Sequence, residues 1–431
     1  MISLNSEQQN AISEIVDFLM TPGETEMVVE GPAGTGKSTM INHMLQVYEK
    51  QMQAIALINN IDAPHYELIT TATTRKAAQV IAELTGQEAL TIHSALGLKV
   101  ENDRKTGKSK LVHGRNYNII EDSIILIDEA SFADSNLIKE VREGTLRCKI
   151  IWIGDPFQLA SIYEPTPPIF TEGLRTAKLT QIMRNMGTVQ QVSLEYRHAV
   201  DTLTFPSIGL TDDKVIHVDG ATFQQMINHH FTASQLTHGN AARILAWQND
   251  RVIQYNDYAR MINGQHGHFK EGERVVTNKP IMTRSGTKYA TDASGIVTDV
   301  TGTIEQAGIE GRYIELDEKV QLFVPDNQLQ VRAFLKQLAK EKNWKTFFDI
   351  KENWGDLRPP YASTVHKSQG STYDRVFIDL SDIGQCNIQS DVARMLYVAF
   401  SRASEQVVLY GALPPKYGAI QNAQGRVATV A

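Results

Sequence analysis

Residues 31–38 read Gly31-Pro32-Ala33-Gly34-Thr35-Gly36-Lys37-Ser38, followed by Thr39, and complete a GxxxxGK[ST] phosphate loop. The glycines let the backbone curl so that successive N–H groups face phosphate oxygens. Lys37 is long enough to reach the β- and γ-phosphates, and the Ser38 hydroxyl suits a Mg²⁺ shell. Further on, the apolar run Ile124-Ile125-Leu126-Ile127 ends in Asp128-Glu129. Asp128 is placed to share that Mg²⁺, and Glu129 to polarise an attacking water as general base. Another apolar run, Ile151-Trp152-Ile153, ends in Gly154-Asp155-Pro156-Phe157-Gln158-Leu159, which can bring Gln158 toward the γ-phosphate. Each piece alone has an ordinary reading, a charged turn after a buried strand or a surface glutamine. Together, in this order, they point to hydrolysis of a nucleoside triphosphate.

Elements that could position these groups are visible in the patterning. Short apolar runs at Met27–Val29, Ala54–Ile58, Ile124–Ile127 and Ile150–Ile153 alternate with helical patterns, one of them starting near Thr39. That rhythm predicts a parallel α/β sheet covered on both faces. A second such region extends from Arg243–Trp247 to Val407–Tyr410 and implies another sheet. Residues 98–118 are polar and basic, with Asp103-Arg104-Lys105-Thr106-Gly107-Lys108 reading as a hairpin turn. Residues 277–361 hold strand-like pieces at Gly295–Val300 and Tyr313–Leu316, a helical stretch at Gln328–Lys342, and the aromatic-rich Trp344–Trp354. Both stretches look like excursions from the sheets, and the tail after Pro414-Pro415 is expected to be loosely ordered.

The chain has 431 residues, a net charge of −7 and two cysteines, Cys148 and Cys386, far apart and without metal-site spacing. A core of several domains and a reducing cytoplasm fit these values. The first residues lack a signal-peptide pattern and no apolar run approaches a bilayer span, so no membrane partner is expected. The acidic balance leaves a local basic groove for nucleic acid open.

The motifs in sequence resemble those of superfamily 1 helicases. The phosphate loop, Asp128-Glu129-Ala130-Ser131 and Gly154–Leu159 resemble motifs I, II and III. Leu4-Asn5-Ser6-Glu7-Gln8 resembles the adenine-reading Q motif, Thr71–Ala78 motif Ia, and Thr91-Ile92-His93-Ser94 motif Ib. Leu179-Thr180-Gln181-Ile182-Met183-Arg184 resembles motif IV. Ala362–Asp374, containing Gly370, resembles motif V, and Leu396–Ala403 motif VI. Gln158-Leu159-Ala160 and Thr364-Val365-His366-Lys367-Ser368-Gln369-Gly370 are similar to the RecD-like group, superfamily 1B, and within it to the Dda-type helicases of tailed phages.

That resemblance implies an α/β fold with two RecA-like P-loop domains: 1A at 1–97 and 119–185, and 2A at 186–276 and 362–431. It implies a small hairpin insertion, 1B, at 98–118 carrying a strand-separating pin, and an SH3-like insertion with an extension, 2B, at 277–361. Arg184 and Arg402 are the implied arginine fingers, a device that contributes roughly 10³–10⁵ in rate. Thr73, Thr74, His93, Thr364 and His366 are the implied contacts to the DNA backbone, short polar groups that hold phosphates without reading bases. The implied activity is ATP-dependent, 5′→3′ movement on single-stranded DNA with unwinding of fork junctions, by a monomer in the (host) cytoplasm. A single-strand-binding protein or replisome component is an implied further partner. A nucleotide-gated DNA clamp and the motor subunit of a nuclease–helicase complex stay open as alternatives. Two departures stand out: Thr73 replaces a usual proline, and the Arg104–Lys108 turn carries no aromatic. Either unwinding is weaker than translocation, or the wedge lies elsewhere.

Overall fold

The computed structural model describes residues 4–421 except 104, 108, 160–163, 165, 184–186, 211, 233–240, 284–285 and 290. Two parallel sheets form its frame. The first contains β1 (Glu26–Glu30), β2 (Glu67–Ala72), β3 (Leu90–Thr91), β4 (Ser123–Asp128), β5 (Lys149–Gly154) and β6 (Arg175–Lys178), in the spatial order β6-β1-β5-β4-β2-β3. Its central strands are continuous apolar runs because helices cover both faces. On one face α1 (Ser6–Met20) and α2 (Lys37–Asn59) bury Ile15, Phe18, Met40 and Met44 against Val29 and Ile151. A third helix, α3 (Arg75–Thr85), follows β2.

The strand expected at Ala54–Ile58 is instead the last part of α2. Met44, Tyr48, Met52 and Ala56 recur every four residues and are buried, so the run continues one helical stripe. Alanine and leucine favour the helix, and no glycine or proline interrupts it. It stops where Asn60 turns left-handed at φ 52°. The strand that takes its place, Glu67–Ala72, is only half apolar and lies nearer the sheet edge.

The second sheet contains β7 (Val215–Val218), β8 (Ala242–Ala246), β9 (Ala362–Thr364), β10 (Tyr373–Asp379) and β11 (Ala403–Tyr410), in the order β7-β11-β10-β8-β9. On the face toward the first sheet lie α4 (Thr188–Thr202) and α5 (Gln389–Ser401), joined by Val192, Tyr196, Met395 and Phe400. Of the tail expected to be loosely ordered, the described part is held, since Ala419–Gln421 pairs in parallel with Ser207–Gly209 and Tyr417 is buried; residues 422–431 lie outside the described residues.

Two excursions leave this frame. Leu98–Asn102 and Ser109–His113 form an antiparallel hairpin. Between β8 and β9, an antiparallel sheet including Arg274–Thr277, Ser294–Val300, Ile309–Leu316 and Val320–Pro325 closes around Val275, Val297, Ile314 and Leu316. The helices Gln328–Lys340 and Trp344–Asn353 extend from it. The excursions meet: Asn102 Nδ2 donates to Glu352 Oε1 at 2.9 Å, and the Trp344 ring lies so close over Gly107 that a Cβ there would sit 2.6 Å from it. Arg104 and Lys108 of the expected pin turn lie outside the described residues. Among the described residues, no helix is long and apolar enough to cross a membrane.

Candidate functional site

The phosphate loop joins β1 to α2, and its curl depends on Gly34 (φ 87°) and Gly36 (φ 76°). A Cβ at Gly36 would lie 2.4 Å from Gln8 Nε2, so a larger residue there would displace the Gln8 amide. Gln8 sits beneath the loop, nearly inaccessible to solvent, with both ends of its amide engaged. Its Nε2 donates to the Thr35 carbonyl (3.0 Å) and its Oε1 accepts from the Asn5 N–H (3.0 Å). The same residue completes the capping box that starts α1. Gln8 therefore braces the loop, and reading an adenine would require it to exchange these bonds.

Lys37 extends across the loop and donates from Nζ to the carbonyls of Gly31 (2.6 Å) and Pro32 (3.0 Å). It opens on a cleft of about 440 Å³ lined by Ala33, Gly34, Gly36, Lys37, Ser38, Thr39, Asp128, Glu129 and Gln158 from the first unit. The opposite wall supplies Gly370, Ser371, Thr372 and Arg402. Catalytic candidates 365 positions apart in the chain thus face one space (Lys37 and Arg402). Arg184 lies outside the described residues.

Asp128 ends β4, and Glu129 follows in a left-handed conformation (φ 53°) that turns its carboxylate into the cleft. Burial, and next the Glu129 charge, raise the Asp128 carboxyl above the usual carboxylate range, while Lys37 opposes the shift. Two crowded carboxyls beside the Ser38 hydroxyl are a donor set that calls for a hard cation. No group of three or more His, Cys, Asp or Glu side chains able to hold a metal occurs among the described residues. A cation here would therefore rely on phosphate oxygens for much of its shell, as Mg²⁺ does at triphosphate sites.

Gln158 is buried, its Nε2 donating to Asp155 Oδ2 at 3.3 Å, while its Oε1 has no partner among the described residues. Arg402 is 5 % exposed, and its Nη1 donates to the Ser371 carbonyl (3.2 Å). From the turn between the helix Val365–Ser368 and β10, Gln369 Nε2 reaches Glu129 Oε2 (3.3 Å) and Ser131 Oγ (3.4 Å) across the cleft. Lys76, at the start of α3, donates in turn to the Ser371 hydroxyl.

The residues expected to touch DNA fall into two groups. Thr74 and Thr364 are N-caps, accepting from Ala77 N (3.2 Å) and Lys367 N (3.3 Å) respectively; Thr74 is partly exposed and can offer its hydroxyl proton outward, whereas Thr364 is buried. Thr73 turns inward instead, donating from Oγ1 to the Glu129 carbonyl at 2.7 Å. It tethers the chain after β2 to the backbone that carries Asp128 and Glu129. His93 is half-buried, and burial lowers its pKa, while His366 is exposed.

Comparison with known proteins agrees with this geometry. A family described as "AAA domain" matches residues 3–205, and one described as "UvrD-like helicase C-terminal domain" matches residues 359–410. The ATP-dependent DNA helicase dda of Enterobacteria phage T4 is 25% identical, over 94% of this chain and 98% of that protein. The chain resembles the superfamily 1B helicases, and the Dda type among them. The RecBCD enzyme subunit RecD of Mycolicibacterium smegmatis is 28% identical over 36% of this chain and 28% of that protein. Among solved structures, the Pif1 helicase of Candida albicans covers 97% of both chains at 15% identity and a TM-score of 0.48.

Sequence reasoning missed the groups that act between units. Tyr397 and Gln369 stand inside the strings resembling motifs VI and V, yet their contacts with Asp155 and Glu129 join residues 242 and 240 positions apart. Trp344 was visible as one of a run of aromatics, and its partner Gly107 as a turn glycine; nothing in either segment paired them.

Proposed function

We propose that this chain is an ATP-driven DNA helicase that moves 5′→3′ on the single strand it holds. The observation that carries the reading is one cleft with a phosphate loop, Asp128, Glu129 and Gln158 on one wall and Arg402 on the other. Lys37 and the loop N–H groups hold the triphosphate, and Ser38 and Asp128 hold Mg²⁺, whose charge offsets that of the phosphates. Glu129 takes a proton from the attacking water, Gln158 Oε1 orients it, and Arg402 neutralises charge on the transferring phosphoryl group. Because the walls belong to different units, hydrolysis requires closure and product release permits opening. Thr74 and Thr364, one on each unit, grip the backbone alternately, so each cycle advances the strand.

The hairpin at 98–113, braced by Trp344 and Glu352, serves as the wedge at a fork. That brace offers an aromatic ring at a tip whose own residues lack one. We take a monomer in the (host) cytoplasm as the working unit, with a single-strand-binding protein or replisome component as a further partner. A DNA clamp with little turnover is disfavoured by Lys37, Asp128, Glu129, Gln158 and Arg402 all lining the cleft, since a clamp could dispense with most of them.

The test is ATP-dependent strand displacement on matched duplexes bearing a 5′ or a 3′ single-stranded tail. Displacement from the 5′ tail alone is expected. Displacement from the 3′ tail would overturn the polarity, and ATP hydrolysis with neither would reduce the protein to a translocase or clamp.

A further inference from the structure

Helix α5 of the second unit sends two buried side chains into the first unit's loop at 155–158. Tyr397 Oη donates to Asp155 Oδ2 at 2.5 Å and accepts from the phosphate-loop N–H of Ala33 at 3.1 Å. Arg394 Nη1 donates to the carbonyls of Pro156 (2.7 Å) and Gln158 (2.5 Å). From α4, Arg197 lies over the Phe157 ring (4.0 Å to its centre) and places Nε 4.0 Å from Asp155 Oδ1.

Asp155 is a carboxylate with no solvent exposure of its side chain. Burying such a charge is costly unless it is hydrogen-bonded and paired. Its own unit provides the Phe157 N–H (3.1 Å) and Gln158 Nε2 (3.3 Å). The remaining support, the Tyr397 hydroxyl and the Arg197 guanidinium, comes from the other unit. Opening the cleft removes both and returns Asp155 to water. Closure dries the carboxylate, and its fixed position then holds the Gln158 amide with Oε1 unpartnered among the described residues.

We propose that Tyr397 is a positioning residue: by bridging Ala33 and Asp155 it sets Gln158 for hydrolysis only when the two units are closed. The inference rests on the helicase reading for the role of Gln158, and not for the bridge itself. Burial and the Asp155 charge keep the phenol protonated, as a donor must be.

Tyr397→Phe removes the hydroxyl and keeps the ring in its core. DNA-stimulated ATPase of wild type, Tyr397→Phe, Gln158→Ala and the double variant is measured together with hydrogen exchange of segments 31–37 and 155–158 without nucleotide. We expect kcat to fall about tenfold in Tyr397→Phe, the scale of one net hydrogen bond, and KM for ATP to change by less than kcat, because the freed Ala33 N–H perturbs binding only at the loop. The double variant should be no slower than Gln158→Ala, since the residues act in series, and both segments should exchange faster. An unchanged kcat, multiplicative losses in the double variant, or unchanged exchange would overturn the proposal. If the wild type fails to hydrolyse ATP, the helicase reading fails, and the exchange result alone decides the bridge.

Discussion

Both parallel sheets end a central strand in a loop that starts a helix, and the two corners are used oppositely. After β1, the phosphate loop presents its N–H groups to the cleft, with Lys37 lying across its carbonyls. After β8, the corresponding corner leads into the helix Asn249–Ile262, and there the N–H groups of Trp247 (2.6 Å) and Gln248 (2.9 Å) both donate to Asp382 Oδ2. A helix N-terminus attracts an anion, and the second unit fills that position with its own buried carboxylate. One scaffold therefore does two jobs. The first unit leaves its anion site open for the proposed nucleotide; the second plugs its site, lines the shared cleft with Arg402, and bonds Glu129 and Asp155 through Gln369 and Tyr397.

The largest effect expected from breaking this contrast is at the open corner. Lys37→Ala should abolish ATP turnover and strand displacement while leaving the circular dichroism spectrum and melting temperature near wild type; normal turnover would remove the phosphate loop from the site. Asp382→Ala should leave two backbone N–H groups buried and unsatisfied, costing about 2 kcal/mol in a urea melt. Titration with a fluorescent ATP analogue should still give one nucleotide per chain, whereas a second equivalent would show that the plug alone separates the corners.

A smaller effect is expected at the hairpin. Trp344→Ala should slow strand displacement several-fold and leave ATPase stimulated by single-stranded DNA unchanged; equal losses in both assays would make the ring a general structural contact. The mildest sign concerns Asp128, whose carboxyl is raised by burial and by Glu129. A raised carboxyl binds its proton more tightly in the folded state, so its contribution to stability falls as pH rises from the ordinary carboxylate range through the elevated value. In metal-free buffer Asp128→Asn should therefore gain stability relative to wild type between acidic and alkaline pH, and equal melting curves at both would deny the carboxyl pair its strain.

The open corner was legible in the sequence because its chemistry is contiguous: loop glycines, Lys37 and Ser38 stand together, and Asp128-Glu129 ends an apolar run. The plugged corner was not. Asp382 is more than 130 residues from the N–H groups it caps, and no local pattern marks it. Tyr397 was hidden for the same reason, since an aromatic within a helix reads as core until Asp155 is seen opposite its hydroxyl. Ala54–Ile58 misled by composition, because a short apolar run has no period of its own and only the buried residues before it reveal the helical stripe. Thr73 kept its place beside the cleft but faces the catalytic strand.

The central claim is that one unit binds ATP and the other makes it react. The most direct measurement is the Arg402→Ala variant, with equilibrium binding of an ATP analogue read beside single-turnover hydrolysis in the presence of single-stranded DNA. The division of labour predicts binding within a few-fold of wild type and hydrolysis slower by about 10³-fold or more. Hydrolysis at the wild-type rate, or loss of binding in proportion to loss of turnover, would contradict it.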